Sequence, residues 1–102
     1  MDTEINSGAL TIDPEQRLRE PSMYKVIMHN DDFTPQEFVV EILKIIFKKD
    51  QQTAEKIMLD VHNKGSGICG CYPYEIAETK SAIANEQAKN NEYPLKCTVE
   101  PE

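Results

Sequence analysis

Three consecutive polar residues, Asn30-Asp31-Asp32, place two carboxylates and an amide oxygen on one short segment of the chain. Oxygen acceptors in this arrangement can bind a metal cation or an organic ammonium group. Calcium is a poor fit, because an EF-hand loop alternates its oxygen ligands and ends in a distal bidentate Glu. An ammonium group needs only a few acceptors at hydrogen-bonding distance. Taken alone, the triplet is explained more simply by a solvated turn with local side-chain hydrogen bonds.

His62 is a second candidate, on a predicted helix one turn after Met58 and next to Val61. Its position at the border of an apolar stripe fits a partly buried histidine that closes the edge of the core, which is the simpler interpretation. The alternative is a neutral imidazole nitrogen that faces the mouth of a pocket. His29, at the end of a predicted strand, is interpreted as structural.

The three cysteines are predicted to be structural. Cys69 and Cys71 are two positions apart, so both should lie on one face of a strand, and Cys97 is isolated. Neither a C-x-x-C motif nor paired histidines accompany them, and the pattern is typical of a reducing compartment. We therefore predict no metal and no cofactor. No Ser-His-Asp arrangement or phosphate-binding glycine loop can be assembled from the remaining residues.

The elements that position these residues follow from periodicity and capping signals. A strand over 23–29 runs directly into the polar triplet. Thr34-Pro35-Gln36-Glu37 predicts a helix with Thr34 as its N-cap, continued by an apolar stripe that includes Ile45. The remaining predicted elements are a helix over 51–64 capped by Gly65, a strand over 67–73, a helix over 74–90 with Ile76, Ala77, Ile83 and Ala84 facing inward, and a strand over 94–100. This β-α-α-β-α-β order predicts an α+β fold, a small three-stranded antiparallel sheet with three helices on one face.

Composition limits the functions that such a domain can have. A chain of 102 residues fits one domain with one small core. Its 18 acidic and 11 basic residues give a net charge of -7, which disfavours nucleic acids and anionic membranes as partners. No apolar run approaches the ~20 residues that span a bilayer, and the N-terminus lacks signal-peptide features, so we expect a cytoplasmic protein. Residues 1–20 are predicted to be a flexible N-terminal extension of a folded domain over 21–102.

Short motifs in order along residues 21–100 carry a family resemblance. They are Pro21-Ser22-Met23-Tyr24-Lys25-Val26-Ile27, Asn30-Asp31-Asp32-Phe33-Thr34-Pro35, Met58-x-x-Val61-His62, Ile68-Cys69-Gly70, Ala77-Glu78-Thr79-Lys80 and Pro94-Leu95-x-Cys97-Thr98. Together they resemble the ClpS family, the bacterial adaptors of N-degron proteolysis. The resemblance implies a monomeric cytoplasmic adaptor, not an enzyme, that binds proteins with a free, large hydrophobic N-terminal residue (Leu, Phe, Tyr or Trp). It would deliver them to the AAA+ unfoldase ClpA, through the N-terminal domain of ClpA, for degradation by ClpP.

The resemblance also implies a role for individual residues. The α-amino group of the substrate would be bound by Asn30, Asp31, Asp32 and His62. The side-chain pocket would be lined by Thr34, Gln36, Val39, Met58, Val61 and Leu95. The unfoldase would dock on Glu75, Thr79 and Lys80. Gln36 departs from the family pattern, which often has Met at this rim position, and its polar amide is expected to alter the rejection of Ile and Val.

Two other functions stay open from the sequence. Asp31, Asp32 and His62 could ligate a divalent ion in a small metal-dependent hydrolase. The chain could instead be a domain that docks on a ring-shaped partner without any amino-acid pocket, as ribosomal stalk C-terminal domains of similar topology do.

Overall fold

The computed structural model describes residues 22–102 of the chain. Its elements are β1 (Met23–His29), α1 (Gln36–Ile45), α2 (Gln51–Lys64), β2 (Ser66–Pro73), α3 (Tyr74–Asn90) and β3 (Lys96–Pro101). The strands form one antiparallel sheet in the order β2-β1-β3. The predicted fold class and element order are confirmed, whereas the extension predicted for residues 1–20 lies outside the described residues. Between residues 22 and 102, no helix is both long and apolar enough to cross a membrane.

The core lies between one face of the sheet and the helices. Val26 and Met28 of β1 and Leu43 of α1 are completely buried. The side of α3 that faces the core consists of small residues spaced three or four positions apart: Ala77, Ser81, Ala84 and Ala88. Small side chains at this spacing allow a helix to approach its neighbours closely.

Three isoleucines that the periodicity placed in the core are exposed instead. Ile76 and Ile83 of α3 are 47% and 43% exposed, and Ile45 at the end of α1 is 63% exposed. The inward prediction for Ile76 and Ile83 is therefore wrong, although Ala77 and Ala84 are buried as predicted. The reason is that α3 packs through its small residues, which turns the neighbouring isoleucines to the flank of the helix.

The prediction that Cys69 and Cys71 share one face is also wrong. Val26 pairs with Gly70 and Ile27 pairs with Ile68, so Cys69 is an extra residue in β2 that has no partner of its own. Such a bulge changes the alternation of side chains along a strand. Cys69 is consequently buried, and Cys71 is half-buried opposite Lys25. The adjacent Cys97 thiol and burial raise the pKa of the Cys69 thiol, which fits an apolar core residue.

Candidate functional site

The loop between β1 and α1 is organised by the side chain of Asp31. Its Oδ1 accepts hydrogen bonds from the backbone N–H groups of Phe33 (2.8 Å) and Thr34 (2.7 Å). Its Oδ2 accepts a third from the Thr34 hydroxyl at 2.8 Å. Burial acts to raise the pKa of Asp31, but these three hydrogen bonds outweigh it and the pKa is lowered. The loop therefore holds a fixed negative charge at neutral pH.

These bonds also change the predicted helix start. Pro35 is the N-cap of α1, with extended backbone angles and no side-chain cap, and the first helical residue is Gln36. Thr34 lies one position before this N-cap and does not cap the helix; its hydroxyl donates to Asp31. The consequence for the site is that Thr34 is held in the loop beside the carboxylate.

The end of α2 lies against the same loop. Gly65 closes the helix with a φ of 91°, a left-handed conformation that glycine adopts without strain. Its carbonyl accepts the backbone N–H of Asn30 at 3.0 Å, which ties the polar triplet to the helix that carries His62. A Cβ on Gly67 would lie 2.9 Å from Cγ2 of Val61, so glycine there allows β2 to pack closely on α2.

Leu95 reaches the site from the opposite side, just before β3. The amide of Asn85 accepts the backbone N–H of Cys97 (2.7 Å) and donates to its carbonyl (3.0 Å), which fixes the start of β3 to α3. Tyr93 packs edge-to-face on Phe38 of α1, with 4.8 Å between the ring centroids. These contacts hold Leu95, which is 4% exposed, in place beside α1.

The loop, α1, α2 and the segment before β3 enclose one concavity of about 320 Å³, counting its open mouth. It is lined by His29, Asn30, Asp31, Thr34, Gln36, Val39, Met58, Val61, His62 and Leu95. Val39, Val61 and Leu95 form a buried apolar floor, while Asn30 and His62 are exposed at the polar mouth.

The structure thus brings together nine of the ten residues for which an amino-group or side-chain role was predicted. The exception is Asp32, which is exposed on the same loop but does not line the concavity. The additional residue is His29, interpreted from the sequence as structural. Its Nε2 lies 2.7 Å from the hydroxyl oxygen of Thr98 in β3, within hydrogen-bonding distance. The only sequence signal for His29 was its position at the strand end next to Asn30.

The alternative of a metal-dependent hydrolase finds no ligand set in this part of the chain. Within residues 22–102, no three His, Cys, Asp or Glu side chains converge closely enough to hold a metal ion. Asp31, Asp32 and His62 therefore do not form a metal site in this geometry.

Comparison with known proteins agrees with this architecture. The sequence profile of the family described as ATP-dependent Clp protease adaptor protein ClpS matches residues 19–98. The chain belongs to the ClpS family. It is 58% and 57% identical to the ATP-dependent Clp protease adapter proteins ClpS of Shewanella pealeana and Shewanella halifaxensis, over 86 residues that cover 84% of each chain. As a ClpS-family protein it is an adaptor of the Clp protease.

A solved structure extends the comparison to a bound ligand. ClpS2 of Agrobacterium tumefaciens bound to L-phenylalaninamide superposes with a TM-score of 0.79 at 40% identity, covering 81% of this chain and all of that one. The ligand named for that ClpS protein carries a free α-amino group and one aromatic side chain.

A second surface of this ClpS-family chain lies apart from the concavity. The exposed isoleucines Ile45, Ile76 and Ile83 line an open groove together with Glu75, Thr79 and Lys80, so the predicted docking residues are brought together. Lys80 donates to the carbonyl of Ile46 at 2.8 Å, and its Nζ lies 5.3 Å from the ring centroid of Tyr72. Lys80 thereby ties the end of α1 to α3, and we call this groove the isoleucine surface.

Proposed function

We propose that this chain binds proteins whose free N-terminal residue is Leu, Phe, Tyr or Trp and delivers them to ClpA for degradation by ClpP. The observation that carries the proposal is the concavity itself, which joins a buried apolar floor to a mouth of polar acceptors. The adaptor performs no catalysis, because the task of the site is recognition. Residues 1–20, which lie outside the described part of the chain, are proposed to act in delivery.

The polar mouth suits an α-ammonium group, which is a cation with three donors. The Asn30 side-chain oxygen, the Asp31 carboxylate and a neutral His62 nitrogen can each accept one of its hydrogen bonds. A hydrogen bond to a charged group contributes about 1.5–3 kcal/mol. Asp32 adds negative charge from the same loop without lining the concavity.

The apolar floor suits the side chain of the same residue. Complete burial of a Leu or Phe side chain stabilises a complex by about 1.5–3 kcal/mol. The ligand named for the Agrobacterium relative, L-phenylalaninamide, has the two groups that such a site would recognise. The polar mouth would therefore select substrates with a free α-amino group, and the apolar floor would select a large apolar side chain on the same N-terminal residue.

The direct test is a fluorescence anisotropy titration with peptides that begin with Leu, Phe, Met or acetyl-Leu and are otherwise identical. We expect tight binding of the Leu and Phe peptides, weaker binding of the Met peptide and none of the acetylated one. The titration is repeated in excess chelator, which an adaptor tolerates and a metal-dependent site does not. Equal binding of all four peptides would contradict the proposal and favour a docking domain without a pocket.

Delivery requires a second contact, which we assign to the isoleucine surface and the N-terminal domain of ClpA. Exposed apolar side chains next to polar residues are typical of protein interfaces. Glu75 and Thr79 supply polar contacts at its edge, and Lys80 holds α1 and α3 in register. The surface does not overlap the lining of the concavity, so substrate and unfoldase can be bound together.

Replacement of the apolar anchors should separate the two activities. We expect Ile76→Ser with Ile83→Ser to weaken binding to the ClpA N-terminal domain at least about tenfold, since buried apolar anchors carry much of an interface energy. Affinity for a Leu-starting peptide should stay unchanged. The matched control is Ile68→Ser, because Ile68 is 50% exposed on β2 and lies outside this groove. Calorimetric titration with the ClpA N-terminal domain measures the affinity of the double variant and of the control. Equal losses of affinity in the two would refute the assignment.

Gln36 at the rim should set the selectivity against β-branched residues. Gln36 is exposed and lines the concavity beside Met58. Gln36 presents a polar amide where a Met would present apolar contact area. We therefore expect Gln36→Met to change the ratio of the Leu affinity to the Ile and Val affinities by about 2- to 10-fold, a range typical of small apolar differences. Anisotropy with Leu-, Ile- and Val-starting peptides measures this ratio, and an unchanged ratio would rule out the role.

A further inference from the structure

The turn that follows α1 contains a lysine in a backbone conformation that residues with a side chain rarely adopt. Lys48 has a φ of 59°, in the left-handed region. The next residue, Lys49, donates its backbone N–H to the carbonyl of Leu43 at 3.1 Å, so the chain folds back on the end of the helix at this point. Glycine is the usual residue at such a reversal, because it has no Cβ to crowd the backbone. A lysine at this position therefore destabilises the fold relative to glycine.

The ammonium group of Lys48 has no partner within the part of the chain that the structure describes. Ion pairs among residues 22–102 involve the lysines Lys44 and Lys64. The lysine side chains that donate hydrogen bonds in this range are those of Lys44 and Lys80. Lys48 itself is exposed. Contacts of its ammonium within the described residues thus do not explain why a lysine occupies the strained position.

Lys48 lies at the isoleucine surface, where it lines the groove beside the three exposed isoleucines. The other lysine of this surface, Lys80, is held by the fold, because its ammonium donates to the carbonyl of Ile46 at 2.8 Å. Glu75 lines the same surface without forming an ion pair with Lys48. Lys48 is therefore the cation that this surface presents to a partner, in a chain whose net charge is -7.

We infer that Lys48 is a further docking residue, whose ammonium binds a carboxylate on the N-terminal domain of ClpA. The inference rests on the proposed function, which assigns the isoleucine surface to that domain. Strained backbone positions cluster at functional sites, where the strained residue is part of the mechanism. Here the strained residue places a charge at the rim of an apolar groove, and rim charges steer association and select the partner. The position thus exchanges stability of the fold for recognition of the unfoldase.

Lys48→Gly tests this inference because it removes the side chain and the strain together. We expect the melting temperature to rise by about 2–8 °C, since glycine adopts a positive φ without strain. Calorimetric titration with the ClpA N-terminal domain should show an affinity about three- to tenfold weaker at low salt, with a smaller loss at high salt. Lys48→Arg keeps the positive charge and should bind the domain within about twofold of the wild-type affinity.

The matched control is Lys56→Gln, which removes one exposed charge from α2 outside the isoleucine surface and should leave docking unchanged. An equal loss of docking in this control, or wild-type docking by Lys48→Gly, would overturn the inference. A lower melting temperature of Lys48→Gly would also overturn it, because the lysine would then be explained by stability.

Titration with a Leu-starting peptide separates this inference from the proposed function. Lys48→Gly should bind the peptide with the wild-type affinity, since Lys48 does not line the concavity. Failure of the wild-type chain to bind the peptide, or to bind the ClpA domain, would instead overturn the proposed function itself.

Discussion

Acetylation of the N-terminus of a Leu-starting peptide is expected to weaken its binding to this chain at least about 100-fold. The acetyl group removes the positive charge and leaves one N–H donor where the ammonium had three. Acceptors at the mouth then lose their partners, and each such loss costs about 1–3 kcal/mol. Since 1.4 kcal/mol is tenfold in affinity, two lost partners reach this range. Anisotropy titration of the free and acetylated peptides measures the effect directly.

The control for this experiment is the same peptide acetylated on the side chain of a Lys placed near its C-terminus. That modification makes the same change in mass and charge but leaves the α-amino group free. We expect it to alter the affinity by no more than about threefold, because a distant exposed charge contributes little. Comparable losses from the two modifications would show that the site reads overall charge and not a terminal amine.

Asp31→Asn is expected to lower the affinity for Leu- and Phe-starting peptides by about 10- to 100-fold. The amide oxygen can still accept the N–H groups of Phe33 and Thr34, and the new amide can donate to the Thr34 hydroxyl, so the loop keeps its shape. What is lost is the negative charge, and a charge-assisted hydrogen bond is about twice as strong as a neutral one. Peptide titration measures the loss, and thermal unfolding checks that the variant is folded.

Asp32→Asn provides the matched control, because it makes the same change at the next position. Asp32 is exposed and does not line the concavity. A solvent-exposed charge is screened, so we expect a loss of at most about threefold that disappears at high salt. If the two variants lost affinity equally, the carboxylate of Asp31 would not make a specific contact with the substrate.

The protonation of Asp31 gives this assignment a defined pH dependence. Its pKa in the folded chain is lowered below the ordinary 3.8, since the hydrogen bonds from Thr34 and Phe33 outweigh the opposing effect of burial. A carboxylate with a depressed pKa stabilises the fold at pH values above its unfolded pKa, and this contribution is lost as the pH falls through the folded pKa. Chemical denaturation should therefore show that Asp31→Asn narrows the stability difference between pH 6 and pH 3.

The order of the elements was predictable because local signals mark their ends. Gly65 is the left-handed cap of α2 that the sequence predicts, and β1 begins and ends at the predicted residues. The residues that line the concavity could also be predicted, but from the family motifs and not from periodicity. Periodicity alone favoured an edge-of-core histidine at position 62, whereas the structure leaves His62 exposed at the mouth.

Several features of the site depend on contacts between distant segments, and the sequence could not supply them. Thr34 was predicted to cap α1, but the helix begins one residue later, with Pro35 as its N-cap, and the Thr34 hydroxyl donates to the Asp31 carboxylate. His29 was interpreted as structural, and in the folded chain it contacts Thr98 of β3 and also lines the concavity. Cys69 and Cys71 were expected on one face, and a bulge set by pairing with β1 separates them.

The sequence by itself determined the α+β element order, the acidic loop and the family to which the site belongs. Only the tertiary structure decided which apolar residues are buried. Ile76 and Ala77 both fit a helical stripe, but the close approach of α3 admits alanine and leaves isoleucine at the flank. Periodicity records how apolar residues are spaced along a helix, whereas burial depends on how near the neighbouring element lies. That difference is why the isoleucine surface became visible only in the folded chain.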